Sequence, residues 1–324
     1  MTLNVSRRSI FALGAGLGAS TVLGGSALAR APKLGTEPGY FYRFDLGNAE
    51  VTVVSDGPLP LGPPKGTFVG VPDDEVKKML ADNFLPTDNV VLQQNSPIVN
   101  TGDKLILFDT GMGTLKLFGP TTGRQQKSMK EAGIRPEDID AVVFSHAHID
   151  HIGGVVDESG KVLFPNAQYY IAQSDLDFWT DEGKTGGDLK NFVLHARKNL
   201  MPVRDRIVIF KDGQEFLPGV QAIAAPGHTV GHTIFMITSN GKSLAFLGDL
   251  SHHPVLLLEK PRMQFSYDTD PKLAAETRVR LLDMIATNKI PVMAYHYAWP
   301  GIGHIAKTAE GFHYYPEGMN LNRS

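Results

Sequence analysis

Apolar positions along the chain come mostly in short runs separated by polar or glycine-rich turns, with one long stretch at helical spacing. Ala141-Val142-Val143-Phe144 is such a run and reads as a buried strand. Tyr40 to Asp56 reads as two strands about a Gly47-Asn48 turn, with Phe41, Phe44, Val51, Val53 and Val54 as the apolar positions. Pro97 to Asn100 and Lys104 to Phe108 form a further pair. Tyr169 to Ile171, Ile207 to Phe210, Val220 to Ala224, Thr233 to Thr238 and Ser243 to Leu247 follow as strands. Pro291 to Tyr295 reads as the final buried strand. Helices are expected over Asp73–Leu80, Gln125–Ala132, Asp175–Trp179, Leu189–Asn199 and Pro271–Asn288. In the last of these Ala275, Val279, Leu282 and Ala286 mark the apolar face, with Glu276 and Arg280 paired outside. The proline- and glycine-rich stretch Gly57 to Pro72 reads as a long loop. Strands and helices that alternate in this way predict a mixed α/β layered domain rather than a bundle or a sandwich of sheets alone.

Composition narrows the chemistry. The 324 residues carry 31 basic and 34 acidic side chains, so net charge is −3 and nucleic acid is not an expected partner. There are no cysteines, which removes disulfides, thiolate ligands and a cysteine nucleophile together. Residues 1–29 read as a twin-arginine signal peptide: Arg7-Arg8, an apolar run from Ile10 to about Leu23, and the small-x-small site Ala27-Leu28-Ala29. Residues 30–324 are then expected to form the mature domain, exported to the periplasm or beyond, with no stable membrane insertion expected once the leader is cleaved.

The strand at Ala141 runs into Ser145-His146-Ala147-His148-Ile149-Asp150-His151-Ile152-Gly153-Gly154. Three imidazoles and a carboxylate at one strand end are the ligand types that zinc and similar divalent ions take. His228, Asp249 and His296 also fall at strand ends, where open α/β sheets build their sites. His146, His148 and His228 are candidates for one ion, and Asp150, His151 and His296 for a second. Asp249 can bridge them. Two such ions about 3.5–4 Å apart hold a hydroxide that attacks a carbonyl or phosphoryl centre, with Asp150 or Asp249 relaying a proton. Asp109 is either a turn residue or the partner that orients a ligand histidine. His232 is expected to support its loop by hydrogen bonding, and His304 to stand behind the ligands. His252 and His253 either line the pocket or lie on the surface. His195 and His313 read as ordinary side chains. Phe118, Trp179, Phe192 and Trp299 are candidate walls, suited to a small neutral substrate.

The ordered set His146-x-His148-x-Asp150-His151, His228, Asp249 and His296 is similar to the metallo-β-lactamase superfamily. The resemblance implies a single-domain, four-layer αββα sandwich with the metals at one edge. Pro38-Gly39-Tyr40, Ser55-Asp56-Gly57, Leu117-Phe118-Gly119-Pro120, Asp177-Phe178-Trp179 and Pro300-Gly301-Ile302-Gly303-His304-Ile305 resemble the methyl parathion hydrolase group of organophosphorus hydrolases. That resemblance implies a homodimer with two divalent ions, Zn2+ or else Mn, Fe or Co, and hydrolysis of esters, lactones or phosphotriesters. It places Phe118 and Trp179 at the leaving group. His252-His253-Pro254, Gln264 to Asp270 and Thr277-Arg278 look more like the wider hydrolases and lactonases. Alternatives are an acyl-homoserine lactonase, a β-lactamase, a mononuclear iron persulfide dioxygenase and a non-catalytic metal-binding protein.

Overall fold

A computed structural model describes residues 35–318. The expected leader lies outside the described residues. Contacts divide the chain after Pro38, and every element below belongs to the unit that begins at Gly39.

The first half carries strands β1 (Phe41–Leu46), β2 (Ala49–Ser55), β3 (Leu59–Gly62), β4 (Phe68–Val69), β5 (Val90–Leu92), β6 (Asn95–Asn100), β7 (Leu105–Phe108), β8 (Ala141–Val143) and β9 (Gln168–Ala172). Helices α1 (Asp73–Asp82), α2 (Gln125–Glu131) and α3 (Ile149–Ile152) lie among them, and α4 (Gln173–Thr180) and α5 (Lys190–Leu200) follow. The second half carries β10 (Ile207–Phe210), β11 (Glu215–Leu217), β12 (Val220–Ala224), β13 (Thr233–Ser239), β14 (Lys242–Phe246), β15 (Gln264–Phe265), β16 (Val292–Met293), β17 (Ile302–Lys307) and β18 (Phe312–Pro316). Its helices are α6 (Leu256–Glu259) and α7 (Pro271–Thr287).

Two seven-stranded sheets result, in the orders β1-β2-β6-β7-β8-β9-β10 and β11-β12-β13-β14-β16-β17-β18. Side chains alternate across each strand and so sort into layers. Val51, Val53, Val99, Ile106, Phe108 and Val143 of the first sheet meet Ala222, Phe235, Ile237, Leu244, Phe246 and Met293 of the second in a shared core. Their neighbours Val54, Ile98, Leu107 and Val142 point the other way, into Met129, Leu176, Trp179, Val193 and Leu200 of the helices that cover the first sheet. Leu281, Leu282 and Ile285 of α7 cover the second sheet. The order is helix, sheet, sheet, helix. Among the described residues no helix is long and apolar enough to cross a membrane.

Three expectations need correction. The stretch Gly57 to Pro72 holds β3, which pairs with β5, and β4, which pairs with β15. Proline is tolerated there because both are two-stranded edges. Pro291 to Tyr295 is not the last strand, since β17 and β18 continue the sheet beyond β16. The buried face of α7 is Ala274, Ala275, Thr277, Arg278, Leu281, Leu282 and Ile285. Val279 and Ala286, expected on that face, are only partly buried, because the helix is rotated toward a buried arginine. Asp270 caps α7 by accepting from the Leu273 N–H at 3.0 Å.

Candidate metal centre

β7, β8, β14 and β16 and the β12–β13 loop deliver Asp109, His146, Asp249, His296 and His228 to one end of the sandwich. Asp109 closes β7 with φ +57, left-handed backbone held by its contacts. Its Oδ1 accepts from the Ser145 N–H at 2.8 Å, and its Oδ2 from the Ser145 hydroxyl at 2.7 Å. It also takes Nδ1–H of His151 at 2.8 Å. Since the Ser145 hydroxyl donates to Asp109, it accepts from Nδ1 of His146 at 3.0 Å. Nδ1 of His228 donates to Asp268 at 2.8 Å, and Nδ1 of His296 to the Gln93 carbonyl at 2.7 Å. A hydroxyl, two carboxylates and a backbone carbonyl thus claim Nδ1 of His146, His151, His228 and His296, and Nε2 of each of these rings faces inward.

The inward atoms form two groups. Ligand atoms of His146, His148 and His228 lie within 4.8 Å of one another, as do those of Asp150, His151 and His296. Asp249 stands between. Its Oδ2 is 3.2 Å from His228 Nε2 and 3.6 Å from His146 Nε2. Its Oδ1 is 3.2 Å from His151 Nε2 and 3.3 Å from His296 Nε2. Asp150 Oδ2 lies 3.5 Å from both of those rings. His228 Nε2 and His146 Nε2 are 3.2 Å apart. Two bare lone pairs at that distance repel unless a cation, a proton or a metal ion, lies with them.

Charge and burial fit divalent ions. Burial, with neighbouring imidazoles, holds His146 and His148 well below the ordinary histidine value, in the neutral form that metals take. Burial opposes charge on Asp249, but His151, His296, His252 and His146 outweigh it and keep the carboxyl well below its usual range. His151 Nε2 and Asp249 Oδ1 are buried with no hydrogen-bond partner. Imidazole and carboxylate donors of this kind suit zinc and its neighbours.

The family model of the metallo-beta-lactamase superfamily matches residues 89–289. The chain belongs to this superfamily. The dizinc quorum-quenching lactonase AidC, solved with its product N-hexanoyl-L-homoserine, is 32% identical with a TM-score of 0.81, covering 86% of this chain and 98% of that one. The hydrolase AbOPH of the beta-lactamase superfamily is 27% identical with a TM-score of 0.82, covering 88% of this chain and 100% of that one. An N-acyl homoserine lactonase of Bacillus cereus is 26% identical over 190 residues, 58% of this chain and 65% of that protein. The chain spans about two thirds of the length of the curated relatives it matches (66% and 65%).

Within this superfamily member the pocket above Asp249 is walled by Leu59, Leu61, Leu92, Phe118, Ile149, Phe192, Phe265 and Tyr267. His148, Asp150, His228, Asp249, His252 and His296 form its polar end, and the free space among these side chains, open to solvent, is about 370 Å³. Phe118 and Phe192, candidate walls in the sequence, are among these lining residues. Trp179 does not line the pocket. It is 1% exposed and packs edge-on behind His148, ring centres 5.0 Å apart. Trp299 packs against the core between the sheets and not among the pocket residues. His304, expected behind the ligands, lies exposed on β17. His252 is buried, stacked on Phe265, with Nε2 3.0 Å from Asp249 Oδ2. His253 is buried beside it and accepts from the N–H groups of Val255 and Leu256, both at 3.2 Å. His232 donates from Nδ1 to the Ala225 carbonyl at 3.0 Å and accepts the Asp249 N–H on Nε2 at 2.9 Å. Gly248, with φ +47, lets that ring approach, since a Cβ there would sit 2.8 Å from it. His195 is partly buried in α5 and His313 is exposed.

Three supports escaped the sequence reading. Asp175 takes the Ala147 and Gly231 N–H groups, both at 2.7 Å, and so ties the two histidine loops together. Asp268 orients His228. Arg278 lies 3.7 Å from Asp268 and donates to the carbonyls of Leu250, Pro261 and Met263 at 2.8–2.9 Å. In the sequence Asp175 shows only as a helix start, and Asp268 and Arg278 only as members of the stretches that resemble the wider hydrolases and lactonases.

Proposed function

We propose that the protein is a dinuclear zinc-type hydrolase that opens the ring of N-acyl homoserine lactones. The observation that carries this reading is the Asp249 carboxylate, its two oxygens facing two separate histidine groups beneath an apolar pocket. Kinship with AidC and with the Bacillus lactonase favours the lactone over the phosphotriester that the sequence brings forward first. When bound, the two ions would supply Lewis acidity and acidify water to near neutrality.

The chain's own residues do the rest. Ser145, Asp268 and the Gln93 carbonyl fix the ring tautomers, so each Nε2 is aimed before anything binds. Asp249 stays ionised and shares its oxygens between the groups. Asp150 is the more exposed of the two central acids, at 14% against 3% for Asp249, and takes the proton that the attacking water gives up. Leu59, Leu61, Leu92 and Phe192 seat the acyl chain and exclude water. A homodimer and twin-arginine export remain part of this proposal, tested by sedimentation and by cell fractionation.

The test is a rate comparison on zinc-loaded protein with N-hexanoyl-L-homoserine lactone, an aryl phosphotriester, an aryl ester and a β-lactam. The lactone should lead in kcat/KM by about tenfold or more. A phosphotriester or β-lactam that leads by that margin overturns the substrate assignment.

A further inference from the structure

The pocket has an ion end and an apolar end, and Tyr267 stands at their boundary. Its ring packs on Phe265, centres 5.3 Å apart, and meets the edge of Phe118 at 6.4 Å. Those contacts fix the ring in the apolar wall. Tyr267 shares the pocket lining with Asp150, Asp249 and His252 of the ion end. Every other polar side chain lining the pocket is one of the histidines or aspartates of the centre or its neighbour His252. Among the described residues no hydrogen bond takes up the Tyr267 hydroxyl, although the residue is partly buried in the pocket wall. An O–H donor placed there invites an acceptor from the substrate.

We propose that Tyr267 reads the polar group joining the acyl chain to the ring, donating its hydroxyl proton to the amide carbonyl of an N-acylated lactone. This rests on the lactonase reading above. The geometry favours the joining group over the reacting ester. The ester must lie over Asp249, between the two histidine groups, and the tail must lie among Leu59, Leu61 and Phe192. The amide is what falls at the boundary, where Tyr267 stands. Tyr267 is therefore a specificity residue: it rewards substrates that carry an amide beside the lactone, and an alkyl lactone of equal length leaves it unpaired.

The test is Tyr267→Phe, which keeps the ring and removes the donor. Full-length, zinc-loaded parent and variant are compared on N-hexanoyl-L-homoserine lactone and on a γ-alkyl lactone of matching length without an amide. The expected result is a KM about 3- to 10-fold higher for the amide substrate, with kcat little changed and the alkyl lactone unaffected. Equal losses on both substrates, or no loss on either, overturn the proposal. Calorimetry gives a second readout that does not depend on turnover. N-hexanoyl-L-homoserine should bind the variant about 3- to 10-fold more weakly, while the matching hydroxy acid without the amide binds both proteins alike. Should the parent open no lactone, the catalytic reading fails by itself, and equal binding of N-hexanoyl-L-homoserine to parent and variant overturns the role of Tyr267.

Discussion

Asp268 accepts a 2.8 Å hydrogen bond from Nδ1 of His228, across 40 residues of chain. The bond fixes which nitrogen of His228 faces the centre. Burial works against charge on that ring, yet the bonds to Asp249 and Asp268 hold its pKa up at about 9. Asp268→Asn keeps the shape and removes the charge. An outer carboxylate of this kind contributes about 10- to 100-fold to metal affinity. The variant should therefore retain its melting behaviour under saturating zinc and bind zinc more weakly by that factor, measured by competition with a chromophoric chelator. Unchanged zinc affinity contradicts the assignment.

Arg278 makes the second half of the same support. It is 1% exposed and donates to three backbone carbonyls. Arg278→Met fills the space and leaves those oxygens and Asp268 uncompensated. The expected loss is about 3–5 kcal/mol in urea unfolding, well beyond an ordinary helix-surface substitution. A loss under about 1 kcal/mol would show that the carbonyls find water instead.

His253 makes stability depend on pH. Its ring is buried, and burial lowers its pKa to about 4 from the ordinary 6.5. Its Nδ1 must stay unprotonated to accept the N–H groups that open α6. The unfolded chain binds the proton more readily, so this contribution is complete above about pH 6.5 and is lost as pH falls toward 4. The full difference corresponds to about 3 kcal/mol. His253→Asn supplies an acceptor that does not titrate, and its stability should slope less over that window than the parent's in paired denaturant titrations at each pH. Parallel slopes contradict the prediction.

The ligand residues could be read from the chain because each histidine or aspartate follows an apolar run, and a strand delivers its end to a fixed edge. His146, His148 and Asp150 need only the strand before them. Asp268 and Tyr267 follow β15, a strand of two residues with no periodicity to detect. Arg278 defeats polarity altogether: a charged residue on the buried face of α7 is sensible only once the carbonyls of Leu250, Pro261 and Met263 are in place. The same burial displaces the expected apolar face of that helix. Trp179 is expected as a wall from the resemblance of Asp177-Phe178-Trp179, and Trp299 as a further candidate wall. Trp179 packs in the core, buttressing His148 from behind, and the partly buried Trp299 packs against the core between the sheets. His304 sits on β17, whose strand character depends on pairing with β16 and β18 rather than on its own pattern.

The central claim is that Asp249 joins two ions into one hydrolytic centre. Titrating zinc into metal-stripped protein while following both heat and the opening of N-hexanoyl-L-homoserine lactone tests it directly. The parent should bind two zinc ions per chain, with turnover appearing as the second site fills. Asp249→Ala should keep the fold, lose the second ion and lose turnover by about 10²-fold or more. A single ion per chain in the parent, or normal turnover in Asp249→Ala, would contradict the claim.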